Sequence, residues 1–228
     1  MVRGGVWVFL ERIIRQILNL ARVIVLARLL TPRDFGLLGI ILLMVQMFEA
    51  VSRTGFEEAL IQKKEDLATY LNTAWVAQML RGTILALGLF LIAPLVGMFF
   101  KEPLAVNLLR LFSVSLLLRG FNNIGVIYFR KELIFRKQIA YQLSETIVNF
   151  IVSITAAVIL RNAWAFIFGF VAGDVIRLVM SYLLHDFRPR FEIKIEKIKD
   201  LFRFAKWVIS SNLLNYFTVH LDDLVVGR

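Results

Sequence analysis

Seven apolar stretches recur about every 30 residues along the 228-residue chain. In a helix, about 20 apolar residues cross the hydrocarbon core of a bilayer, so stretches of this length predict membrane spans. Because lipid offers no hydrogen-bond partners to an open strand, we read the stretches as helices. The predicted fold is therefore all-α, a polytopic membrane bundle, with spans at residues 6–30, 35–51, 71–99, 104–128, 139–160, 163–184 and 205–226.

Composition agrees with a membrane protein and argues against several kinds of site. Hydrophobic residues make up 59% of the chain, above the share of about half that is usual in soluble domains. Cysteine is absent and histidine occurs only at His185 and His220, so we expect no disulfide, no metal site and no cofactor. The net charge of +10 favours an anionic membrane surface or an anionic substrate over nucleic acid.

Basic residues are distributed unevenly between the predicted links. Counted together with the residues at their edges, the links after the second, fourth and sixth spans carry fourteen of them, whereas the links after the first, third and fifth spans carry four. Short loops rich in lysine and arginine stay on the cytoplasmic side of a membrane. We therefore expect a multi-pass protein of the cytoplasmic (inner) membrane with a cytoplasmic N-terminus.

The segment between the sixth and seventh spans is amphipathic. Ile195, Ile198, Leu201 and Phe202 recur at helical spacing among lysines and acids. This pattern predicts a helix on the inner membrane surface, and a solvated linker is the alternative. We expect a six-helix lobe over residues 1–184, a basic linker over 185–204 and a seventh helix over 205–228.

The first apolar stretch carries polar residues along its length, which is unusual for a span. Arg12, Arg15, Asn19 and Arg22 follow each other at steps of three and four residues, so they share one helix face. Each arginine near the bilayer centre costs about 2.5–3.5 kcal/mol on insertion scales. The stripe must face water, a partner or an anion, and we read it as one wall of a polar cavity. Snorkelling to the inner interface is the alternative for Arg12.

Most of the other stretches also carry one polar face. Converging polar faces would enclose a hydrated chamber, whereas faces that pair with each other would give a structural polar core. Asp174 and Arg177 lie on one face of the sixth span and are close enough to pair. The candidates for substrate binding are Arg12, Arg15, Asn19, Arg22, Arg81, Arg119 and Asn215. The candidates for coupling or structural roles are Glu145, Asp174, Arg177 and Asp222.

Recognisable catalytic motifs are missing from the sequence. It contains no glycine motif that cradles phosphate, no metal-ligand spacing and no nucleophile with a histidine base. We therefore expect that the protein is not an enzyme.

Four segments carry, in order, the pattern of a known protein family. LARLLTPRDFG at 26–36 covers the end of the first helix and the first turn, and GFEEALIQ at 55–62 follows helix two. NTAW at 72–75 opens helix three, and FAKW at 204–207 with LDDLVVGR at 221–228 enters helix seven. Together these segments resemble bacterial flippases of polysaccharides and lipid-linked oligosaccharides, within the multidrug/oligosaccharidyl-lipid/polysaccharide exporter superfamily.

The resemblance implies a protein about twice this length, with two six-helix lobes around a central cavity. This chain then looks like the N-terminal lobe plus the first helix of the second lobe, as a fragment or a truncated gene product. The implied function is to move polyprenyl-pyrophosphate-linked oligosaccharide or polysaccharide precursors, for lipopolysaccharide or exopolysaccharide of the cell envelope, across the cytoplasmic membrane by alternating access. Implied partners are the lipid-linked glycan and the bilayer, with a glycan polymerase and chain-length regulators as further candidates.

Three other functions are compatible with the residues. A cation-coupled drug exporter of the same superfamily would favour an acidic, aromatic cavity, whereas this first helix is basic. A membrane-embedded glycan polymerase or acyltransferase would need a large outer loop or an intramembrane histidine or aspartate with a partner. A structural subunit that transports nothing is the third.

Overall fold

The computed structural model describes residues 2–52 and 68–192, together with residues 194 and 196. The regular structure of this part is helical throughout, which confirms the all-α prediction. The helices are α1 Val2–Leu29, α2 Pro32–Ser52, α3 Ala68–Phe99, α4 Pro103–Gly120, α5 Ile127–Lys131, α6 Phe135–Leu160 and α7 Trp164–Leu183, with a 3₁₀ turn at Ile124–Val126 before α5. Within the described residues, four segments are long and apolar enough to cross a membrane, namely Tyr70–Phe99, Pro103–Gly120, Phe135–Leu160 and Trp164–Leu183.

The turn between α1 and α2 is built by residues that favour a helix start. Pro32 begins α2, at a position where its missing N–H costs nothing. The Asp34 carboxylate accepts hydrogen bonds from the Thr31 N–H at 2.9 Å and from the Thr31 hydroxyl at 2.7 Å. These bonds fix the chain reversal, so the first two predicted spans become separate helices.

The fourth predicted span, residues 104–128, was wrong at its second end, because α4 already ends at Gly120. At Gly120 the chain packs directly on α3, where a Cβ added to Gly82 would lie 2.6 Å from the Gly120 Cα. Beyond the break, the Asn123 N–H donates to Ser181 Oγ at 2.9 Å, and Asn123 Oδ1 accepts from the Gly125 N–H at 2.9 Å. Contacts inside the protein replace the helical hydrogen bonds that are lost at this break. The apolar stretch can therefore continue across it, and hydropathy does not reveal where α4 ends.

The long helices follow one another in space as α1, α6, α7, α4 and α3, and α2 packs against α3 and α4. The largest apolar cluster lies between α2, α3, α4 and α7, and it includes Ile41, Leu89, Leu108, Phe112 and Ile167. Burial of these side chains holds the helices together and fixes the positions of the polar groups on α4 and α7 relative to each other. Phe112 packs on Phe170 with ring centroids 5.6 Å apart.

The helix termini form two ends of the bundle. At one end the amide of Gln78 donates to the carbonyls of Arg119, Gly120 and Asn122, which ties the start of α3 to the end of α4. The links rich in lysine and arginine leave from here, so we call it the basic end. At the opposite end, Arg33 Nη2 lies 2.8 Å from Glu102 Oε2 and joins the α1–α2 turn to the start of α4.

The segment after α7 folds back onto the start of α3. Asn72 Nδ2 donates to Glu192 Oε2 at 3.0 Å, and the Arg190 N–H donates to Asn72 Oδ1 at 3.0 Å. Phe191 packs edge-on against Trp75, with centroids 5.2 Å apart. The first part of the predicted linker is therefore attached to the helical bundle. Most of the predicted surface helix, the seventh span and the candidates Asn215 and Asp222 lie outside the described residues.

Candidate functional site

Arg119, in the last turn of α4, joins three helices at the basic end. Its Nε donates to Asp174 Oδ1 of α7 at 3.0 Å, and its Nη1 donates to Glu49 Oε1 of α2 at 2.9 Å. The Asp174 side chain is 2% exposed, so its charge depends on this partner. Two carboxylates therefore share one guanidinium.

Arg177, one turn further along α7, reaches α6. Its Nη1 donates to Glu145 Oε2 at 2.8 Å, and its Nε donates to the hydroxyl of Tyr141 at 3.0 Å. Tyr141 and Glu145 are four residues apart on α6, so they present both acceptors from one helix face.

The predicted pairing of Asp174 with Arg177 was wrong, because each residue instead pairs with a neighbouring helix. Asp174 binds Arg119 of α4, whereas Arg177 binds Glu145 of α6. Side chains three residues apart lie on one face, but α4 and α6 place oppositely charged groups directly in front of that face. Asp174 and Arg177 lie three residues apart on α7, which connects the two pairs. We call these five residues, including Glu49, the charge network.

Arg22 of α1 faces the same bundle but has a neutral partner. Its Nη1 donates to Asn149 Oδ1 of α6, and its guanidinium lies 5.4 Å from the ring centroid of Phe170. Its Nε is buried without a hydrogen-bond partner. In the part of the chain that the structure describes, no carboxylate pairs with Arg22.

The rest of the predicted stripe on α1 has a different environment. Arg15 Nε lies 3.4 Å from Glu11 Oε1 on the same helix, and the Arg15 side chain is 42% exposed. Arg12 is exposed, and Asn19 is half-buried. The structure therefore separates Arg22 from Arg12 and Arg15, although all of them share one side of the helix in sequence.

Arg81 of α3 binds the end of α2. Its Nη2 and Nε donate to Ser52 Oγ at 3.0 and 3.2 Å. Together with the bond from Arg119 to Glu49, this contact attaches α2 to its neighbours at the basic end. The candidate Arg81 thus lies near the charge network but binds a residue outside it.

The charge network is buried on one side and open on the other. The side chains of Arg119 and Glu49 are 32% and 33% exposed, and those of Arg177 and Glu145 are 35% and 28% exposed. Only Asp174 is fully enclosed. The candidates Arg119, Glu145, Asp174 and Arg177 are therefore brought together as charges that pair between helices.

The sequence interpretation did not select Glu49, Tyr141 or Ser52 as candidates. Tyr141 could have been found, since it lies one helical turn before Glu145. Glu49 and Ser52 lie near the end of an apolar stretch without a polar stripe, so their roles depend on how α2 docks.

A second polar cluster lies at the basic end, beyond the helices of the network. His185 stacks on Tyr128 with ring centroids 5.5 Å apart, and its Nδ1 accepts from the Phe187 N–H at 3.0 Å. Lys137 Nζ donates to the Leu184 carbonyl at 2.9 Å and caps α7. Burial and the nearby Lys137 charge lower the pKa of His185. A cleft of about 350 Å³ opens here, lined by Tyr128, Phe129, Glu132, Ile134, Lys137, His185 and Asp186.

The fold and these contacts define a multi-pass helical membrane protein with charges paired between its helices. Residues 25–228 match the family model described as "Polysaccharide biosynthesis protein", and the chain belongs to that family. Among the described residues, no three histidine, aspartate or glutamate side chains are grouped to hold a metal ion.

Several curated relatives are similar to the chain over most of its length. The succinoglycan biosynthesis transport protein ExoT of Rhizobium meliloti is 25% identical over 92% of this chain and 43% of its own length. The lipopolysaccharide biosynthesis protein WzxC of Escherichia coli is 24% identical, over 100% of this chain and 46% of its own. The teichuronic acid biosynthesis protein TuaB of Bacillus subtilis is 21% identical, over 100% of this chain and 48% of its own length.

The chain thus spans about half the length of these relatives. The first of them is named as a transport protein, which agrees with the expectation that the chain is not an enzyme. No solved structure is significantly similar.

Proposed function

We propose that this chain forms the N-terminal half of a transporter that moves lipid-linked oligosaccharide or polysaccharide precursors across the cytoplasmic membrane. Family membership and the name of the transport relative support the class of function. The names of these relatives refer to the biosynthesis of succinoglycan, lipopolysaccharide and teichuronic acid, which supports the class of substrate.

The observation that carries the proposal is the exposure of the charge network. The side chains of Arg119, Glu49 and Arg177 are each about a third exposed on the surface of an apolar lobe. A charged group in contact with acyl chains costs several kcal/mol, and paired charges still need their remaining hydrogen bonds satisfied. The open side of the network must therefore face water or polar protein, as it would at a cavity between two lobes.

Arg22 is the residue that suits an anionic headgroup. Its charge has no carboxylate partner in the described chain, and one of its N–H groups is buried without an acceptor. Guanidinium groups bind phosphate oxygens through directed hydrogen bonds and stay charged at every physiological pH. We assign Arg22 the main contact to the diphosphate and place Arg12, Arg15 and Asn19 of α1 along the path of the headgroup.

The paired residues hold the lobe in one conformation. Arg119 and Arg81 attach α2, and the pair of Arg177 with Glu145 joins α7 to α6. In alternating access the two lobes would rock around the bound headgroup, while the lipid tail stays in the bilayer. The excess of basic residues at one end favours a cytoplasmic N-terminus and entry of the headgroup from the inner leaflet.

The proposal is tested by glycan export in a bacterial strain that lacks its own flippase and carries the full-length protein. We expect the double variant Arg15→Ala, Arg22→Ala to lose surface glycan while its amount in the membrane stays normal. The matched control is Arg136→Ala, which removes an exposed arginine at the start of α6. Normal export by the double variant would refute the role of the α1 arginines.

A further inference from the structure

The neutral partner of Arg22 distinguishes it from the other arginines inside the lobe. Arg119 and Arg177 donate to carboxylates, which compensate their charge. Arg22 donates to the amide oxygen of Asn149, which orients a guanidinium without compensating it. The guanidinium therefore has a fixed direction and an undiminished positive charge.

Asn149 is itself held in one orientation. It is 7% exposed, and its Oδ1 accepts a second hydrogen bond from Ser153 Oγ at 3.0 Å. A flipped amide would turn its NH₂ group toward the Arg22 guanidinium, where both groups are donors. The oxygen is thus the atom that Arg22 requires, and Ser153 supports it.

Two glycines of α7 cover this arrangement. A Cβ added to Gly169 would collide with Ser153 Oγ and would lie 3.0 Å from Asn149 Oδ1. A Cβ added to Gly173 would lie 3.3 Å from the Asn149 Cβ. Small residues four apart allow helix backbones to approach closely. Phe170, which follows Gly169, supplies the aromatic ring beside Arg22.

We propose that Asn149 is a positioning residue, which aims the Arg22 guanidinium at a phosphate or diphosphate headgroup and leaves its charge free for that anion. This inference rests on the proposed function, because it takes the substrate to be a phosphorylated lipid. A carboxylate in place of the amide would keep the shape of the side chain, yet it would form an ion pair with Arg22 and compete with the anion.

Asn149→Asp is therefore the decisive substitution. The probe is farnesyl diphosphate, a short polyprenyl diphosphate, titrated into the purified full-length protein in detergent, with farnesol as the uncharged comparison. We expect Asn149→Asp to bind the diphosphate about tenfold or more weakly than the wild type, with farnesol unaffected. The matched control Asn107→Asp adds the same charge at an exposed position of α4 and should bind as the wild type does.

Thermal unfolding separates positioning from a merely structural role. The new ion pair should leave the unfolding midpoint of Asn149→Asp equal to that of the wild type or above it, so that affinity falls while stability does not. If the wild type and Arg22→Ala differ in affinity but Asn149→Asp binds like the wild type, the positioning role is wrong and the proposed function stands. If the wild type prefers farnesol or binds neither compound, the anion site fails and the inference fails with it.

Discussion

The Arg119 guanidinium of α4 donates to the Asp174 carboxylate of α7 at 3.0 Å, inside a bundle where that carboxylate is 2% exposed. Arg119 reaches Glu49 of α2 from its other side, so one cation holds three helices. Because Asp174 is enclosed and Glu49 is open to its surroundings, the two contacts should differ in their effect on stability.

Leaving the buried Asp174 carboxylate without its partner should destabilise the bundle more than removing the open carboxylate of Glu49. Breaking a buried ion pair from one side costs about 3–5 kcal/mol, whereas exposed pairs contribute about 0–1 kcal/mol. We expect Arg119→Ala to lower the thermal unfolding midpoint in detergent strongly, because it leaves the buried Asp174 charge unpaired. Glu49→Ala should lower it slightly, and equal midpoints for the two variants would contradict the burial of Asp174.

The contact of α3 with α4 depends on two glycines. A Cβ on Gly82 would lie 2.6 Å from the Gly120 Cα and 3.0 Å from the Leu116 carbonyl oxygen, and neither backbone atom can move aside alone. Overpacking of this kind costs about 1–3 kcal/mol, so Gly82→Ala should unfold at a lower temperature. The control is Gly39→Ala on α2, where a Cβ meets nothing within 4 Å and helix propensity favours alanine. The prediction fails if both variants unfold at or above the wild-type temperature.

Acidification should weaken the cluster around His185. Burial and Lys137 lower the pKa of this histidine in the folded protein, so the folded state prefers the neutral imidazole. Its contribution to stability is present above the unfolded pKa of about 6.5 and is lost as the pH falls through the folded value. Protonation also removes the acceptor of the Phe187 N–H. The unfolding midpoint of the wild type should fall more steeply between pH 7.5 and pH 5 than that of His185→Phe, and parallel curves would contradict this assignment.

The topology can be read by labelling single cysteines introduced into a cysteine-free background. Cysteines in place of Arg136 and Arg188, at the basic end, should be protected from an impermeant maleimide added to intact cells. A cysteine in place of Arg33, at the opposite end, should react. The reverse pattern would place the N-terminus outside.

The sequence was sufficient to predict the long helices and some of their ends. Long apolar stretches predict α3, α6 and α7, and the pattern Thr31-Pro32-Arg33-Asp34 places the first reversal because its cap is made by neighbouring residues. The end of α4 escaped prediction, since it depends on Gly82 from another helix.

Partners across helices could not be predicted either. Periodicity showed that Asp174 and Arg177 share a face, but the opposing residues Arg119 and Glu145 follow from how α4 and α6 dock. In the same way, the spacing on α1 grouped Arg12 with Arg22, whereas packing brings Arg22 onto Asn149 of α6 and leaves Arg12 exposed.

The most direct test of the central claim is the transfer of a phosphorylated lipid between leaflets by the full-length protein. Proteoliposomes would carry a fluorescent polyprenyl-diphosphate-linked sugar, and an impermeant reductant added outside would bleach only the outer leaflet. We expect fluorescence to fall below the level of protein-free vesicles with the wild type and Arg136→Ala, and to stay at that level with Arg22→Ala. Equal bleaching with and without the wild-type protein, or undiminished transfer by Arg22→Ala, would contradict this claim.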